Sequence, residues 1–472
     1  MFGVLIEKGI SDWQIVQQHG GQADLYFEGH FCVPQAGLNV GEPHAVPRIR
    51  VMNEQDNSPV IPWRDCEYQY TEGRHAGEWK AMLRVPAGGL YRIETGLFTT
   101  WNRPDNPFKQ FRGDIRLHVG VGDLFVIAGQ SNAAGCARDQ AYDPVDLQVH
   151  LFRNRQRWDL ACHPMNESTE ADPEAPNTEM GNSGASPYLS FGRHYSRYAG
   201  YPVGLISTAR GGSPIANWDP AQNGNLYREM LARIRACGGD IAGILWYQGC
   251  TDTDTIEQAQ RYQECFYRFV KKTRQEIDRE VPFFTFQLNR YAQGLLDEAW
   301  GIVREVQRRA AQELDRVWVL PTIQCATSDD IHNSALSNVY LGEILAKQCA
   351  GVLLGKAEFA APDLAEAVLE SKHTVRLRFR NTSAGFVVYG EKTLPCGFTV
   401  EDEVGKIDIR HLRGEKGCLF LDLERQPVGE MKVSFCYEAD PCRWQPKDEV
   451  TYLPPLAFYR VVVERRESDE KE

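Results

Sequence analysis

The spacing of apolar positions changes twice along this chain of 472 residues. Residues 1 to about 120 carry short apolar stretches of period two, split by Gly and Pro, of which 79–85 is typical. This alternation predicts a small antiparallel β-sandwich. From about 123 to 355, near-continuous apolar runs alternate with helical patterns, and from about 360 to 463 the alternating runs return. The pattern predicts an α/β domain between two β-rich domains.

The central segment predicts a doubly wound, mostly parallel sheet. Strands covered on both faces read as uninterrupted apolar runs, and strand–helix alternation is typical of this class. The active groups of such folds lie just beyond the carboxyl ends of the strands. The predicted strands are 124–128, 203–207, 242–247, 282–288 and 317–321, and the predicted helices lie near 185–199, 224–236, 256–279, 296–314 and 335–350.

Residues 139–184 do not follow the strand–helix pattern. They are polar, contain several prolines and are acidic in places. A loop of this length inside a compact domain is more often functional or mobile than idle. We therefore expect part of the substrate contacts to come from it.

Composition narrows the class of protein and of partner. The chain is 42% hydrophobic and 25% charged, as in ordinary globular domains, and its net charge is -12 with a pI near 5.5. This acidic balance disfavours nucleic acid and anionic membranes as partners. The amino-terminal residues lack the basic start and apolar length of a signal peptide, and no stretch is long enough to span a bilayer. The 13 cysteines show no disulfide spacing and no CxxC pair, so we predict reduced thiols in a cytoplasmic protein whose oligomeric state stays open.

Ser131 follows the first predicted strand of the central segment, within Gly129-Gln130-Ser131-Asn132. A serine at this place can present its hydroxyl at the edge of the sheet, beside backbone N–H groups that stabilise an oxyanion. The alternative is a serine that only caps the following helix. No Gly-Lys-Ser/Thr follows, so the glycines of this segment do not form a phosphate-binding loop.

Two further segments end predicted strands at the same edge of the sheet. Gly211 and Gly212 follow the second strand, and paired glycines let backbone amides approach a ligand. The alternative is a tight turn that needs positive φ. Gln248 ends the third strand in Trp246-Tyr247-Gln248-Gly249 and could donate to an oxyanion, or it could satisfy loop backbone groups.

His332 follows the last predicted strand and has two carboxylates just upstream, Asp329 and Asp330. Such a histidine is either a general base or a solvated residue at the start of a helix. A serine nucleophile, a histidine base and a carboxylate that orients the base form a hydrolytic triad. Because four such features fall at the ends of successive strands, the sequence predicts a serine hydrolase.

Together these segments, with Leu245 and Trp218, resemble the SGNH (GDSL-like) hydrolases. Within that superfamily the chain resembles the sialate O-acetylesterase and acetylxylan-esterase branch of carbohydrate esterases. The resemblance implies a flavodoxin-like, three-layer α/β/α core with flanking β-rich segments. The expected divisions are a β-sandwich-like domain at 1–120, an SGNH hydrolase domain at 121–358, a C-terminal β-rich domain at 359–465 and a charged tail at 466–472.

The resemblance also implies roles for individual residues. Ser131 corresponds to the nucleophile, His332 to the base and Asp329 to the acid, with Asp330 as the alternative acid. The backbone amides of Ser131 and Gly212, or Gly211, and the side chain of Gln248 match the oxyanion hole. Candidate substrate-binding residues are Gln130, Asn132, Arg210 and Trp218. Arg210 could pair with a sialic acid carboxylate or with a nearby acid, and Trp218 could stack on a sugar or pack in the core.

This sequence departs from the family pattern at two positions. Cys250 stands where the branch usually has Glu after Gln-Gly, and Asn333 stands where it often has Pro after His. Cys250 removes a carboxylate from the neighbourhood of the site, which puts the specificity in doubt more than the chemistry.

The predicted function is removal of O-acetyl groups from sialic acid or another acetylated sugar, such as acetylated xylan, through an acyl-enzyme. The eleven histidines show no HExxH or paired-ligand spacing, so we predict no metal and no cofactor. A lipase or thioesterase, which needs an extended acyl channel, is a second enzymatic hypothesis. A non-catalytic carbohydrate-binding protein on a decayed hydrolase core is the hypothesis from another class.

Overall fold

The structure is a computed structural model. It describes residues 3–33, 44–72, 76–100, 108–179, 184–382, 384–388 and 397–465. In chain order, the strands β1 to β26 found there are Gly3–Gly9, Ile15–Gln17, Gln22–Cys32, His44–Asn53, Pro59–Asp65, Glu67–Glu72, Ala76–Pro86, Gly88–Thr100, Phe108–Gly129, Val149–Phe152, Trp158–Leu160, Val203–Ser207, Gly243–Tyr247, Phe283–Phe286, Val317–Leu320, Asp363–Ser371, Thr374–Arg380, Phe386–Val387, Phe398–Asp402, Gly405–Ile407, Ile409–Glu415, Cys418–Leu423, Lys432–Phe435, Lys447–Asp448, Phe458–Val462 and Glu464–Arg465.

The helices α1 to α6 of the described residues are Ser131–Ala134, Tyr188–Ala199, Asn225–Ala236, Ile256–Ile277, Asp297–Glu313 and Ala335–Leu354. The last five match the predicted helices to within a few residues. Thr255 and Ser334 begin α4 and α6 by accepting hydrogen bonds from the backbone N–H groups of Gln258 and Ser337, each at 3.2 Å. None of the described helices is both long and apolar enough to cross a membrane.

The amino-terminal part contains two sheets that share one apolar core. One sheet has the antiparallel order β1-β3-β7-β6, and the other contains β4, β5, β8 and the first half of β9. Buried and exposed positions alternate along β3, as the period-two pattern predicts. Phe27 and Leu83 from the first sheet and Ile93 and Val119 from the second lie in the common core.

Strand β9 belongs to two sheets at once. Residues 108–121 pair with β8 in antiparallel fashion, whereas 123–129 lie between the parallel strands β12 and β13. The predicted boundary near residue 120 therefore falls inside one continuous strand. This strand carries Ser131 at its end, so the β-rich part and the central sheet are joined directly beneath the site.

The central sheet has the order β11-β10-β12-β9-β13-β14-β15. Every pair from β10 to β15 is parallel, and only the edge strand β11 is antiparallel. From β9 the chain reaches β12 on one side and β13 on the other, so β9 ends at the topological switch point where open α/β sheets bind ligands. The prediction of one long loop at 139–184 was wrong in part, because residues 149–152 form β10, which pairs with β12 and β11.

Helices cover both faces of this sheet. Phe125 and Ile127 of β9 point into a core that contains residues of α2 and α6, whereas Leu124 and Val126 point into a second core with residues of α3, α4 and α5. Alternation of the same strand between two cores explains why these strands are uninterrupted apolar runs. The predicted α/β class is confirmed.

The carboxyl-terminal part is built from strands alone in the residues described. It forms sheets of order β21-β22-β17-β16-β26 and β20-β19-β23-β25, together with the short pair β18 and β24. Leu377, Leu421, Val400 and Val433 come from the two larger sheets and share one apolar core. Gln287 at the end of β14 donates to the backbone oxygen of Ala457 at 2.8 Å, which ties this part to the central sheet.

Candidate active site

The turn that carries Ser131 is fixed against the neighbouring strand β13. Gly129 has φ +135°, and a Cβ there would lie 2.2 Å from the backbone oxygen of Tyr247, so only glycine allows this approach. The backbone N–H of Gln130 donates to the same oxygen at 3.0 Å. Among the described residues, none forms a hydrogen bond with the Ser131 hydroxyl, which is half-buried at the mouth of the turn.

Asn132 connects this turn to the segment around His332. Its side-chain amide donates to the backbone oxygen of Ile331 at 3.3 Å and accepts from the backbone N–H of Asn333 at 3.0 Å. Asn289, which follows β14, donates to the same Ile331 oxygen at 2.6 Å. Both chain neighbours of His332 are thus bound to the direct neighbour of Ser131. The predicted meeting of these distant segments is present in the backbone arrangement.

Asp329, not Asp330, contacts the imidazole of His332. One oxygen of Asp329 lies 2.7 Å from Nδ1 of His332, and the other accepts the backbone N–H groups of Ile331 and His332 at 3.0 and 2.7 Å. Asp330 is exposed and accepts from Gln293 at 2.7 Å. Partial burial opposes ionisation of Asp329, but the hydrogen bonds from His332 and Ile331 and the charge of His332 together outweigh it and lower the pKa of Asp329.

With Nδ1 of His332 held by Asp329, Nε2 is the ring nitrogen left for proton transfer. The described residues include no hydrogen bond between Nε2 and the Ser131 hydroxyl. Hydrogen bonds of this kind are often long in unliganded sites and shorten when the substrate is bound. The geometry therefore provides an imidazole oriented by Asp329 in a segment that is bonded to the residue after Ser131.

The turn after β12 lies against the same strand end. The backbone N–H of Arg210 donates to the oxygen of Gly129 at 3.0 Å, and the Ser213 hydroxyl donates to the oxygen of Arg210 at 2.8 Å. Gly212 has φ +64°, a conformation that glycine adopts without strain, and the space around its Cα is open. The amide of Gly211 is occupied, because it donates to the carboxylate of Glu179. Gly212 is thus the better-placed oxyanion donor of the two.

The side chain of Gln248 does not face the site as predicted. It is 0% exposed, and its amide donates both to the backbone oxygen of Ser213 at 3.0 Å and to the carboxylate of Asp252. Asp252 also accepts the backbone N–H of Ile215 at 3.0 Å. Both N–H groups of Gln248 are therefore engaged within the protein. This geometry matches the alternative prediction, that Gln248 satisfies groups of the loop. Donation to an oxyanion would require its side-chain amide to rotate.

The side chains of the four predicted substrate-binding residues form hydrogen bonds or packing contacts within the protein. Gln130 accepts the backbone N–H of Gly249 at 2.9 Å, Asn132 holds the His332 segment, and Arg210 donates to the backbone oxygen of Pro176. Trp218 is 0% exposed, and its ring meets Trp246 edge-on at 5.2 Å. The expectation that Trp218 stacks on a sugar is incorrect in this structure, because its ring lies in the core.

The two departures from the family pattern are both buried, and both lie beside Asn289. Burial raises the pKa of the Cys250 thiol to about 12, and its sulfur lies 3.9 Å from the side-chain oxygen of Asn289. Asn333 donates to the Tyr247 hydroxyl at 3.1 Å and accepts from Asn289 at 3.1 Å. Cys250 is therefore an unreactive thiol, and Asn333 helps to hold the segment from behind.

Two carboxylates near the site were not identified from the sequence. Glu179 lies in the acidic segment that precedes α2 and binds the Gly211 amide. Asp252 follows Gln248 by four residues, and burial raises its pKa to about 7 against the hydrogen bonds from Gln248 and Ile215. Acidic residues after a strand end were the only available signal, and neither spacing nor composition indicated their partners.

In the part of the chain that the structure describes, no group of three or more His, Cys, Asp or Glu side chains could hold a metal ion. Twelve described cysteines are free thiols.

Comparisons with known proteins relate the central part of the chain to carbohydrate esterases. Residues 121–351 match the family model described as carbohydrate esterase, sialic acid-specific acetylesterase. A probable carbohydrate esterase of Arabidopsis thaliana is 24% identical over 186 residues, which cover 35% of this chain and 68% of that protein. Human sialate O-acetylesterase is 23% identical over 270 residues, which cover 46% of this chain and 47% of the human protein.

The crystal structure of a carbohydrate acetylesterase from Xanthomonas citri has the same fold over 95% of this chain and 97% of its own, with a TM-score of 0.64 and 19% identity. The similarity covers the β-rich parts as well as the central sheet. The predicted resemblance to carbohydrate esterases and the predicted class, carboxylic ester hydrolase, are confirmed by the family and its relatives.

Proposed function

We propose that this chain, whose central domain at 121–351 belongs to the sialic acid-specific acetylesterase family of carbohydrate esterases, removes O-acetyl groups from carbohydrates through an acyl-enzyme on Ser131. The observation that carries the proposal is the Asn132 side chain, which binds both neighbours of His332 at 3.3 and 3.0 Å. This contact joins the residue after Ser131 to both chain neighbours of a histidine two hundred residues away, which supports a shared site.

In the proposed reaction, Nε2 of His332 takes the hydroxyl proton of Ser131 while the serine oxygen attacks the acetyl carbonyl carbon. The oxyanion accepts hydrogen bonds from the backbone amides of Ser131 and Gly212. When the intermediate collapses, His332 protonates the sugar oxygen, and the bond between that oxygen and the acetyl carbon breaks. Water, deprotonated by His332, then attacks the acetyl carbon. The bond between that carbon and the Ser131 oxygen breaks, His332 returns the proton to Ser131, and acetate leaves.

Asp329 has two functions in this scheme. Its bond to Nδ1 selects the tautomer that leaves Nε2 free to accept a proton. Its charge also stabilises the imidazolium formed in each half-reaction. The lowered pKa of Asp329 keeps this carboxylate ionised at neutral pH, as that function requires.

Gln248 and Asp252 support the oxyanion hole rather than line it. Gln248 binds Ser213, the residue after Gly212, and Asp252 binds the amide of Ile215. The turn that presents Gly212 is thereby held from below at two points. This replaces the direct contact to the oxyanion that the family pattern implies for Gln248.

The proposal includes the domain organisation. Residues 121–358 would form an SGNH hydrolase domain of three layers, and the β-rich segments 1–120 and 359–465 would flank it, with a charged tail at 466–472. The two helix-lined cores on opposite faces of the sheet and the position of Ser131 at the switch point support this assignment.

Covalent labelling tests the proposal directly. A fluorophosphonate probe should form an adduct with Ser131, found by peptide mass spectrometry, and Ser131→Ala should lose both the adduct and almost all acetate release from p-nitrophenyl acetate. Ser328→Ala is a matched control, because Ser328 lies beside the His332 segment and binds its backbone at 3.4 Å without contacting the imidazole. Binding of acetylated sugars with no adduct at Ser131 would instead favour the carbohydrate-binding hypothesis.

A further inference from the structure

Arg304 in α5 joins two segments that are far apart along the chain. Its side chain is 0% exposed. The guanidinium donates to the backbone oxygen of Leu288 at 3.1 Å and to that of Asn289, both just after β14. It also donates to the backbone oxygens of Cys436 at 2.9 Å and of Glu438, both just after β23 in the carboxyl-terminal part. All four acceptors are backbone carbonyl groups.

The shape and charge of an arginine suit this position. A guanidinium presents five N–H groups in one rigid plane, so a single side chain can hold two segments in a fixed relation. Burial lowers the pKa of Arg304 to about 10, which leaves it positively charged at neutral pH. Hydrogen bonds from a charged donor are stronger than those between neutral groups. Arg304 therefore fixes residues 288–289 against residues 436–438.

Asn289 extends this link to the His332 segment. Its side-chain amide donates to the backbone oxygen of Ile331 at 2.6 Å and to the side-chain oxygen of Asn333 at 3.1 Å. The side chain of Asn132 binds the backbone of the same two residues. Both chain neighbours of the proposed base are thus held by two asparagines, one next to the proposed nucleophile and one held by the buried arginine.

A second set of contacts joins the carboxyl-terminal part to the same loop. The backbone oxygen of Ala439 accepts the N–H of Tyr291 at 2.8 Å, and the N–H of Ala292 donates to the backbone oxygen of Asp330 at 2.8 Å. Gly294 lies so close that a Cβ added there would be 2.4 Å from the Cβ of Ala439. The carboxyl-terminal part is therefore connected to the loop that carries the histidine by two routes.

We infer that Arg304 positions His332 through Asn289. The segment 436–439 takes part because it supplies the other side of this link, so the carboxyl-terminal β-rich part belongs to the framework of the active site. The inference rests on the proposed esterase function and gives that part a role in it. Without the four hydrogen bonds, the imidazole would be held less precisely with respect to the Ser131 hydroxyl, and misplacement of about 1 Å can cost a hundredfold in rate.

Substitution of Arg304 tests the inference when activity is counted per active site. Arg304→Met keeps much of the side-chain volume but has no donor, whereas Arg304→Lys keeps the charge on a single ammonium that cannot reach all four oxygens. The end point of fluorophosphonate labelling should stay near one adduct per chain in both. We expect kcat for p-nitrophenyl acetate per labelled site to fall about ten- to a hundredfold in Arg304→Met and less in Arg304→Lys, with little change in KM.

Arg233→Met is the matched control. Arg233 in α3 is 2% exposed and also donates to backbone oxygens, those of Phe152 at 3.1 Å, Arg153 at 2.6 Å and Asn154 at 3.4 Å. In the residues described, these three form no hydrogen bond with the His332 segment. Arg233→Met should lower the resistance to urea, as Arg304→Met does, but should leave kcat per labelled site within about twofold of the parent.

A double-mutant cycle tests the route through Asn289. Asn289→Ala removes both hydrogen bonds to the His332 segment and should lower kcat per labelled site about ten- to a hundredfold. Arg304→Lys added to this variant should cause little further loss, because residues that act through the same contacts are not additive. Losses that multiply in the double variant would show that Arg304 does not act through Asn289.

Gly294→Ala tests the carboxyl-terminal part without changing Arg304. Its new Cβ would clash with that of Ala439 and push the loop after β14 away, so we expect kcat per labelled site to fall by on the order of tenfold. Gly294→Ala combined with Ala439→Gly removes the clash and should restore most of this loss. A single variant with parental kcat, or a pair without recovery, would overturn the role of the carboxyl-terminal part.

The outcomes separate this inference from the esterase proposal. A parent protein that neither forms an adduct at Ser131 nor releases acetate would refute the esterase proposal, and the inference with it. An active parent whose Arg304→Met variant keeps its kcat per labelled site, or loses only what Arg233→Met loses, would overturn the positioning role alone. If Arg304→Met does not fold, parental kcat per labelled site in Arg304→Lys and in Gly294→Ala would overturn it instead.

Discussion

The two sides of Ser131 are built in different ways. On one side, Asp329 and His332 are three residues apart and form two hydrogen bonds, and Asp329 accepts a third from Ile331 of the same loop. On the other side, the turn that contains Gly212 is held by Glu179 and Asp252, which come from separate segments of the chain. The base is thus oriented by local structure, whereas the proposed oxyanion hole depends on long-range contacts of two carboxylates, the buried Asp252 and the half-buried Glu179.

The charges on the two sides differ as well. Hydrogen bonds from His332 overcome burial and lower the pKa of Asp329, so this carboxylate stays ionised where a positive imidazolium must form. Burial dominates on the other side, raising the pKa of Glu179 and bringing that of Asp252 to about 7. A site that stabilises an oxyanion benefits from carboxylates that resist ionisation, because a nearby negative charge opposes the developing one.

The largest expected effect tests the histidine side. Asp329→Asn leaves the loop nearly isosteric but favours the wrong tautomer of His332, and comparable substitutions in serine triads lower kcat by about 10⁴. His332→Ala should lose at least as much. Asp330→Asn is the control, because Asp330 is exposed and binds Gln293 instead of the imidazole. Steady-state hydrolysis of p-nitrophenyl acetate measures all three, and equal losses in the two Asp variants would contradict the assignment of the acid.

A smaller effect is expected where the two segments are joined. Asn132→Ala removes both hydrogen bonds to the His332 segment. The imidazole of His332 should then be held less precisely with respect to the Ser131 hydroxyl. Misplacement of about 1 Å can cost a hundredfold in rate, so we expect kcat to fall about ten- to a hundredfold while KM changes little.

The matched control for this variant is Asn154→Ala. Asn154 is as deeply buried as Asn132 but bonds with Asn166 and Asn177 away from the His332 segment. If both variants lost the same activity, Asn132 would be a general stability residue rather than a link between serine and histidine.

On the oxyanion side, substitution of Gln248 should lower the stability of the protein more than its activity. Gln248→Ala removes a donor from the buried Asp252 and from the Ser213 oxygen, and an unsatisfied buried polar group costs about 1–3 kcal/mol of unfolding free energy. A direct oxyanion donor would instead cost about a hundred- to a thousandfold in kcat. We expect the stability loss in urea unfolding with less than a tenfold change in kcat. A hundredfold fall in kcat at unchanged stability would restore the donor role implied by the family pattern.

The sequence was informative where contacts are local or periodic. The uninterrupted apolar runs predicted the central strands, and five predicted helices end within a few residues of the observed ones, because burial on both faces leaves a clear pattern. The two carboxylates upstream of His332 likewise indicated a local partner for the imidazole, and the resemblance to the SGNH hydrolases favoured Asp329 over Asp330. These features depend on residues that lie close together along the chain.

The sequence was misleading where a residue's partner is distant. Trp218 and Gln248 have chemistry suited to a binding site, but the structure buries both, and only the packing of other segments against them decides this. Strand β10 was missed because it is short, contains His150, lies among polar residues and pairs with β12, some fifty residues later. Such contacts follow from tertiary structure and leave no local pattern.

Substitution of Asp252 should have the smallest effect on activity. It also tests most directly whether the carboxylates on the two sides of Ser131 differ in ionisation. Its pKa is raised from 3.8 to about 7 by burial, so the folded protein holds a proton that the unfolded chain releases between these pH values. More protons bound in the folded state mean that the unfolding free energy falls as the pH rises through this window. The full contribution is about 1.4 kcal/mol for each pH unit.

Asp252→Asn cannot ionise and should lack this contribution. The unfolding free energy of the variant minus that of the parent should therefore increase from pH 4 to pH 7 and stay constant above pH 8. Urea unfolding at each pH measures this difference. Asp278→Asn is the control, because Asp278 is exposed at the end of α4 in a left-handed conformation that Asn tolerates. Its difference from the parent should not change with pH. A pH-independent difference for Asp252→Asn would mean that Asp252 is already ionised at pH 5, and the carboxylates on the two sides of Ser131 would then be alike.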